Sequence, residues 1–310
     1  MGAMAHSDHG LPAGLTRRPL QLSDAAAVTA LMAAEQQAST GRVSIEEADI
    51  VSDWRRPSFD ITARTVGVFD GDRLVGYAEV GRQGRADAAV ALDHHGRGIG
   101  SWLARWIQER GRALGHRVVG MPVPAGSPAE KLLRALGYQV RWHSWVLLLP
   151  EGHTIEDGPL PDGYRIRVAE SEDDRRAAWE VIEDAFLEWS AREKEPYDDW
   201  VSGVTGRPGF EPWNLRVVVD PREEVVGGVF VVLSESDGAP SGFVDKLAVR
   251  KDQRGRGLAR ALLAGAFRTA REHGAARSEL STDSRTGALD LYRGLGMEIR
   301  EDWVNLGTHV

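Results

Sequence analysis

The chain has 310 residues, 42% of them hydrophobic, with a formal net charge of −8 and no cysteine. That length is about twice a typical domain, and the apolar fraction is enough for ordinary cores. The acidic balance argues against nucleic acid or an anionic membrane as a partner, and the missing cysteine excludes disulfides, thiolate metal sites and a cysteine nucleophile.

Met1 to Gly14 is set apart from the fold, as a disordered natural terminus or as residues added ahead of a natural start. It lacks the basic-then-apolar pattern of a secretory leader, and no later stretch reaches the roughly 18 apolar residues of a membrane span. A cytoplasmic protein is expected. Leu15 to Leu22 reads as a first strand, and Ser23-Asp24 caps a helix to about Gln36. Arg64 to Phe69 and Leu74 to Val80 read as a hairpin around Asp70-Gly71-Asp72, with a third strand near Ala86 to Leu92. The glycine-rich run Gly96-Arg97-Gly98-Ile99-Gly100 follows, then Leu103, Trp106 and Ile107 at helical spacing. A strand at Val118 to Met121, a helix around Pro128 to Leu136 and strands from Tyr138 to Leu149 close a first domain, residues 15–156.

Residues 157–163, rich in Gly, Pro and Asp, read as a linker to a second domain at 164–310. There the order recurs: a strand at Tyr164 to Val168, a helix from Ser171 to about Trp189, and a looser acidic and aromatic stretch from Ser190 to Trp213. Strands at Leu215 to Val219, Val225 to Leu233 and Gly242 to Val249 lead into Arg254-Gly255-Arg256-Gly257-Leu258-Ala259. A helix marked by Leu258, Leu262, Ala266 and Thr269 follows, with a strand at Ala276 to Thr282, a helix at Gly287 to Gly294 and a strand pair from Met297 to Leu306.

The second half is a copy of the first. Gly96 and Gly255 lie 255 − 96 = 159 residues apart, and Leu136-Gly137 and Leu295-Gly296 keep the same spacing, 295 − 136 = 159. In each copy glycines allow a tight turn and close backbone approach, and the helix start beyond them presents free N–H groups and the positive end of its dipole. Such a loop suits a phosphate. Arg250, Lys251, Arg254, Arg256 and Arg260 concentrate positive charge around the second copy.

The run Arg254-x-x-Gly257-x-Ala259, the strand Asp245-Lys246-Leu247-Ala248-Val249 before it and Ala288-Leu289-Asp290-Leu291-Tyr292-Arg293-Gly294-Leu295-Gly296 after it together resemble the GNAT superfamily of N-acetyltransferases. The resemblance covers both halves. It implies an α/β fold of two tandem GNAT units, each a mixed, mostly antiparallel twisted sheet flanked by helices. It further implies acetyl-CoA as cosubstrate, a small-molecule primary amine as acceptor, no metal, and a monomer or homodimer. On the family's pattern Arg254, Gly255, Arg256, Gly257, Leu258 and Ala259 hold the pyrophosphate. Leu247, Ala248 and Val249 line the pantetheine arm, and the amide of Val249 or Ala248 stabilises the oxyanion. Tyr292 matches the general acid that protonates the departing thiolate; its alternative is a core tyrosine.

Asp245 is the candidate base for the amine, on the expectation that it shares a sheet face with Leu247; its alternative is a solvated strand-end charge. Glu193, Glu195, Asp198 and Asp199 fall where the family's acceptor region lies, and either meet a cationic acceptor or are simply solvated. At the matching first-half positions stand Leu133 for Tyr292, Ala86 for Asp245 and His95 for Arg254. The first unit therefore reads as catalytically degenerate, with Gly96, Arg97, Gly98, Ile99 and Gly100 as a possible second CoA site. The tandem architecture also resembles that of mycothiol synthases, although Phe243 and Arg285 or Ser284 replace that group's glutamate and asparagine. A non-catalytic acetyl-CoA-binding module is the remaining alternative. The histidines, with His94 and His95 adjacent, lack metal-ligand spacing.

Overall fold

The computed structural model describes residues 10–236 and 238–310; most of the expected N-terminal tail thus lies outside the described residues. In chain order the elements of the first half are β1 (Thr16–Arg18), α1 (Ala25–Thr40), α2 (Glu47–Trp54), α3 (Ile61–Arg64), β2 (Thr65–Asp70), β3 (Arg73–Val80), β4 (Ala86–Val90), α4 (Ile99–Ala113), β5 (Val118–Pro124), α5 (Pro128–Ala135) and β6 (Gln139–Leu148). The second half continues with β7 (Arg165–Val168), α6 (Glu172–Leu187), α7 (Tyr197–Gly203), β8 (Leu215–Val219), β9 (Val225–Ser236), β10 (Ala239–Val249), α8 (Leu258–Glu272), β11 (Arg277–Asp283), α9 (Leu289–Gly294) and β12 (Glu298–His309).

From the glycine loops onward the copies stay in register: α4 and α8, β5 and β11, and β6 and β12 each start 258 − 99 = 159 residues apart. The expected strand pair at the C-terminus is one continuous strand, β12. Two short helices, α2 and α7, stand where no helix was expected.

The compact units are interleaved along the chain. Unit 1 comprises residues 1–41, 59–141 and 305–310, and unit 2 comprises 42–58 and 142–304. In unit 1, β1-β2-β3-β4 form an antiparallel sheet, and β5 touches it by a single parallel bridge, Arg85 with Gly120. The chain's last residues close this unit: Val310 donates to the Arg117 carbonyl, and a Cβ on Gly120 would collide with the Leu306 carbonyl.

In unit 2 the strand order is β6-β11-β10-β9-β8-β7, with β10 and β11 parallel and the other pairs antiparallel. On one face α8 buries Leu258, Leu262, Leu263, Ala266, Phe267 and Ala270 against Val231, Val244, Val249 and Leu280. On the other, α6 and α7 bury Ala178, Ile182 and Trp200 against Val217, Val219, Phe230 and Ala248. Each fully buried Leu or Phe contributes about 1.5–3 kcal/mol, so the two cores fix β10 from both sides. Segment 42–58 is fastened to this unit by polar contacts. Arg56 pairs with Glu195, Arg207 with Glu46 at 3.0 Å and Asp49 at 2.8 Å, and the Ser58 amide donates to Asp199 at 3.0 Å.

Candidate active site

β10 forks away from β11. Their parallel pairing runs from Ser241–Arg277 to Val244–Leu280 and stops, while pairing of β10 with β9 continues to Val249–Gly227. At that point β10 is bulged, because its register against β9 jumps from Val244 to Lys246 and leaves Asp245 as the extra residue. The core confirms the break in alternation, since Val244, Leu247 and Val249 pack on the same α8-side cluster. The expectation that Asp245 faces with Leu247 assumed unbroken alternation, and the bulge removes that basis.

The fork opens one edge of β10. Arg250 N–H donates to the Val226 carbonyl at 2.8 Å. In an antiparallel ladder alternate residues address the same neighbour, so Ala248 and Lys246 also point their backbone groups at β9. Leu247 and Val249 then address the side that β11 has left. Arg254 Nε reaches the Val249 carbonyl there at 3.1 Å, and the Val249 N–H has no acceptor among the described residues. Of the two expected oxyanion donors, Val249 is the one with the open direction.

The loop beyond is built for an anion. Gly255 and Gly257 have φ of +75° and +79°, a region costly for other residues, and Gly257 caps the fifteen-residue α8. Amides from Gly255 to Arg260 find no backbone acceptor among the described residues. No atom lies within 4 Å of where a Cβ on Gly255 or Gly257 would stand. This cradle fits the pyrophosphate of a coenzyme A thioester. The Arg254 side chain is engaged otherwise, with Glu188 at 2.6 and 3.0 Å as well as the Val249 carbonyl, and Arg256 bonds the Tyr164 hydroxyl at 3.1 Å. Leu258 is buried and Ala259 packs beside it, so their contribution to a ligand is their amides.

Tyr292 lies on α9, partly buried against the α8-side core. Desolvation pushes its phenol up to about 12, so it is neutral at physiological pH. Asp245 has a side chain 41% exposed and pairs with Lys246 at 2.8 Å. Desolvation works to raise its pKa, but the Lys246 ammonium, helped by Arg207 and Arg56, outweighs it, and the pKa is lowered. Asp245 is therefore a carboxylate at neutral pH and a weak base. Lys246 escaped sequence reasoning although it adjoins Asp245. Arg56, from the first half, carried no local signal at all.

Of the acidic run, Glu195 is bound by Arg56 and its pKa is raised by burial. Asp199 is 1% exposed and receives both the amide and the hydroxyl of Ser58. These two carboxylates hold segment 42–58 in place. No group of three or more potential ligands for a metal ion occurs among the described residues, and none of their helices is long and apolar enough to cross a membrane.

Unit 1 repeats the loop without the rest. Gly96 and Gly98 have φ of +74° and +88°, Gly98 caps α4, and amides from Gly96 to Ser101 also lack backbone acceptors among the described residues. β3 and β4 pair without a bulge from Val80–Ala86 to Gly76–Val90. Leu133 is a buried core residue.

Comparison with known proteins agrees with this geometry. The profile described as the acetyltransferase (GNAT) family matches residues 28–138 and 175–297. A mycothiol acetyltransferase of Thermobispora bispora is 26% identical over 279 residues, covering 88% of this chain and 92% of the relative. The crystal structure of a GCN5-related N-acetyltransferase from Sphaerobacter thermophilus superposes with a TM-score of 0.72 at 26% identity, covering 96% of each chain. A tandem GNAT protein from the clavulanic acid biosynthesis pathway shares the fold, with a TM-score of 0.71 at 18% identity over 95% of this chain and 98% of that one. The chain belongs to the GNAT acetyltransferase family, with the family's domain present twice.

Proposed function

We propose that unit 2 transfers an acetyl group from acetyl-CoA to the primary amine of a small molecule in one direct step. The observation that carries this reading is the open edge of β10. Only there does an unclaimed amide, that of Val249, lie beside a bulged carboxylate, with a phosphate cradle immediately downstream.

The loop amides of Gly255 to Ala259 hold the pyrophosphate, and the backbone edge at Leu247 and Val249 receives the pantetheine arm. When bound, acetyl-CoA supplies an activated acyl carbon. The Val249 N–H stabilises the carbonyl oxygen as it gains charge, a donor whose loss typically costs about 3 kcal/mol. Asp245 docks the acceptor's ammonium and takes its proton, directly or through water. As the N–C bond forms and the C–S bond breaks, Tyr292 gives its phenol proton to the departing sulfur. The Tyr292 pKa lies above that of a thiol, so this transfer depends on geometry rather than on acid strength.

A second reading, favoured by the similarity to a mycothiol acetyltransferase, is that the acceptor is a mycothiol-type amine. Free-thiol release from acetyl-CoA with a panel of amines, including a cysteinyl amine, tests both. Amine-dependent release with sequential kinetics is expected. The absence of release with every amine, or ping-pong kinetics with an acetylated side chain, would remove the direct-transfer reading.

A further inference from the structure

The backbone position equivalent to Val249 is already occupied in unit 1. Val90 stands 249 − 90 = 159 residues earlier, at the end of β4. Its surroundings reproduce those of Val249 closely. Ala91 N–H donates to the Val75 carbonyl at 2.9 Å, as Arg250 N–H does to Val226, so Val90 too turns its groups away from the neighbouring hairpin strand. The Val90 carbonyl bonds His95 Nε2 at 3.0 Å, where its counterpart bonds Arg254 Nε at 3.1 Å. His95 thus replaces Arg254 as the brace between strand end and loop.

The difference is on the N–H. The Val90 amide donates to Glu35 Oε2 at 3.2 Å, whereas the Val249 amide has no acceptor among the described residues. Glu35 comes from α1, and His95 Nε2 lies 3.5 Å from the same oxygen. Helices α1 and α6 are both sixteen residues long, and Glu35 and Ile182 are each the eleventh residue. Ile182 is fully buried and rests on Gly228. Unit 2 has an apolar side chain where unit 1 has a carboxylate.

We propose that Glu35 closes the acyl position of unit 1, so that its fork rejects an acetyl thioester while accepting a free thiol. The proposal extends the reading of both loops as coenzyme A cradles. A thioester carbonyl brought to the Val90 amide would have to displace a charge-assisted hydrogen bond. It would also set one acceptor oxygen against a carboxylate, with no proton between them. A free thiol meets the same carboxylate as a donor, S–H toward Oε2. Unit 1 then binds the product, coenzyme A, in preference to the substrate, acetyl-CoA. No bond is made or broken.

The test is titration calorimetry of coenzyme A and acetyl-CoA against the full-length Gly257→Glu protein, in which the unit 2 cradle is blocked, with and without Glu35→Ala or Glu35→Gln. Circular dichroism and melting confirm that each variant is folded. The Gly257→Glu protein should bind coenzyme A at least about tenfold more tightly than acetyl-CoA, and Glu35→Ala should close that gap. If Gly257→Glu proves unfolded, the same comparison is made on the wild type by subtracting titrations of Gly98→Glu, which removes the unit 1 cradle instead. Equal affinities with Glu35 intact, a preference that survives Glu35→Ala, or no binding of either ligand before and after the substitution would each overturn the proposal. The readout is binding alone, so loss of amine-dependent thiol release would count against the transferase reading and not against Glu35.

Discussion

The phenol of Tyr292 and the carboxylate of Asp245 have their pKa values pushed apart, up to about 12 for the one and downward for the other. Both hold their working charge across neutral pH. Tyr292→Phe should lower kcat by about 100-fold or more, the usual scale for a general acid, with acetyl-CoA affinity unchanged by calorimetry; unchanged turnover would leave Tyr292 a core residue. The phenol's raised pKa also sets a sign. Its folded state resists ionisation, so the stability it contributes is intact below pH 10 and is lost as pH rises from there toward 12. Wild-type kcat should accordingly show no descending limb below about pH 10 from this residue; a limb near pH 8 that disappears in Tyr292→Phe would contradict the assignment. Tyr292 and Asp245 were legible in the sequence because one copy of a duplication can be checked against the other. Glu35 was not. Its partner Val90 is 55 positions away, and nothing local distinguishes a carboxylate that caps a strand amide from one in water.

Helix α8 begins on a glycine in the left-handed region, and so does α4. Gly257→Glu puts a side chain and a negative charge into the cradle and should abolish both acetyl-CoA binding to unit 2 and turnover. Gly98→Glu, carrying the same backbone strain, should leave turnover within about threefold of wild type, since the proposed chemistry lies in unit 2. Full loss of activity in a folded Gly98→Glu protein would make unit 1 a participant. The loops, the following helices and most strands were legible from glycine spacing and apolar periodicity. The β10 bulge was not, because one extra residue leaves no trace in composition. α7 was hidden in a stretch that read as loose, and it packs on α2, a helix from the other half of the sequence. That segment is anchored at its start by Arg42, which meets Glu279 at 2.6 Å with both side chains nearly buried. Arg42→Met leaves the Glu279 carboxylate with only Ser241, at 2.9 Å, and should cost about 3–5 kcal/mol in urea unfolding. A loss below about 1 kcal/mol would show that the hydroxyl suffices.

The duplication visible in the sequence divides the chain near residues 157–163, but the compact units do not follow that division. Unit 1 takes its closing strand from 305–310, and unit 2 takes 42–58 and the segment starting at Trp142 from the first half. Residues 144–148 of β6 pair with Glu279 to Asp283 along the edge of β11. Repeat detection reports which residues descend from a common ancestor, whereas folding joins whichever strands complete a sheet, and exchanging equivalent edges between two copies alters no local pattern. A fragment ending at residue 156 would therefore lack the strand beside Gly120, exposing an unpaired edge. A fragment starting at 164 would lack the partner of β11 and the arm that binds Glu195 and Asp199. Neither half expressed alone should give a cooperative thermal transition. The two halves expressed together should associate, recover a single transition and release thiol from acetyl-CoA in the presence of an active amine. If residues 164–310 alone melt cooperatively and bind acetyl-CoA with wild-type affinity, the arm and the borrowed strand are dispensable, and the boundary read from the duplication is the physical one.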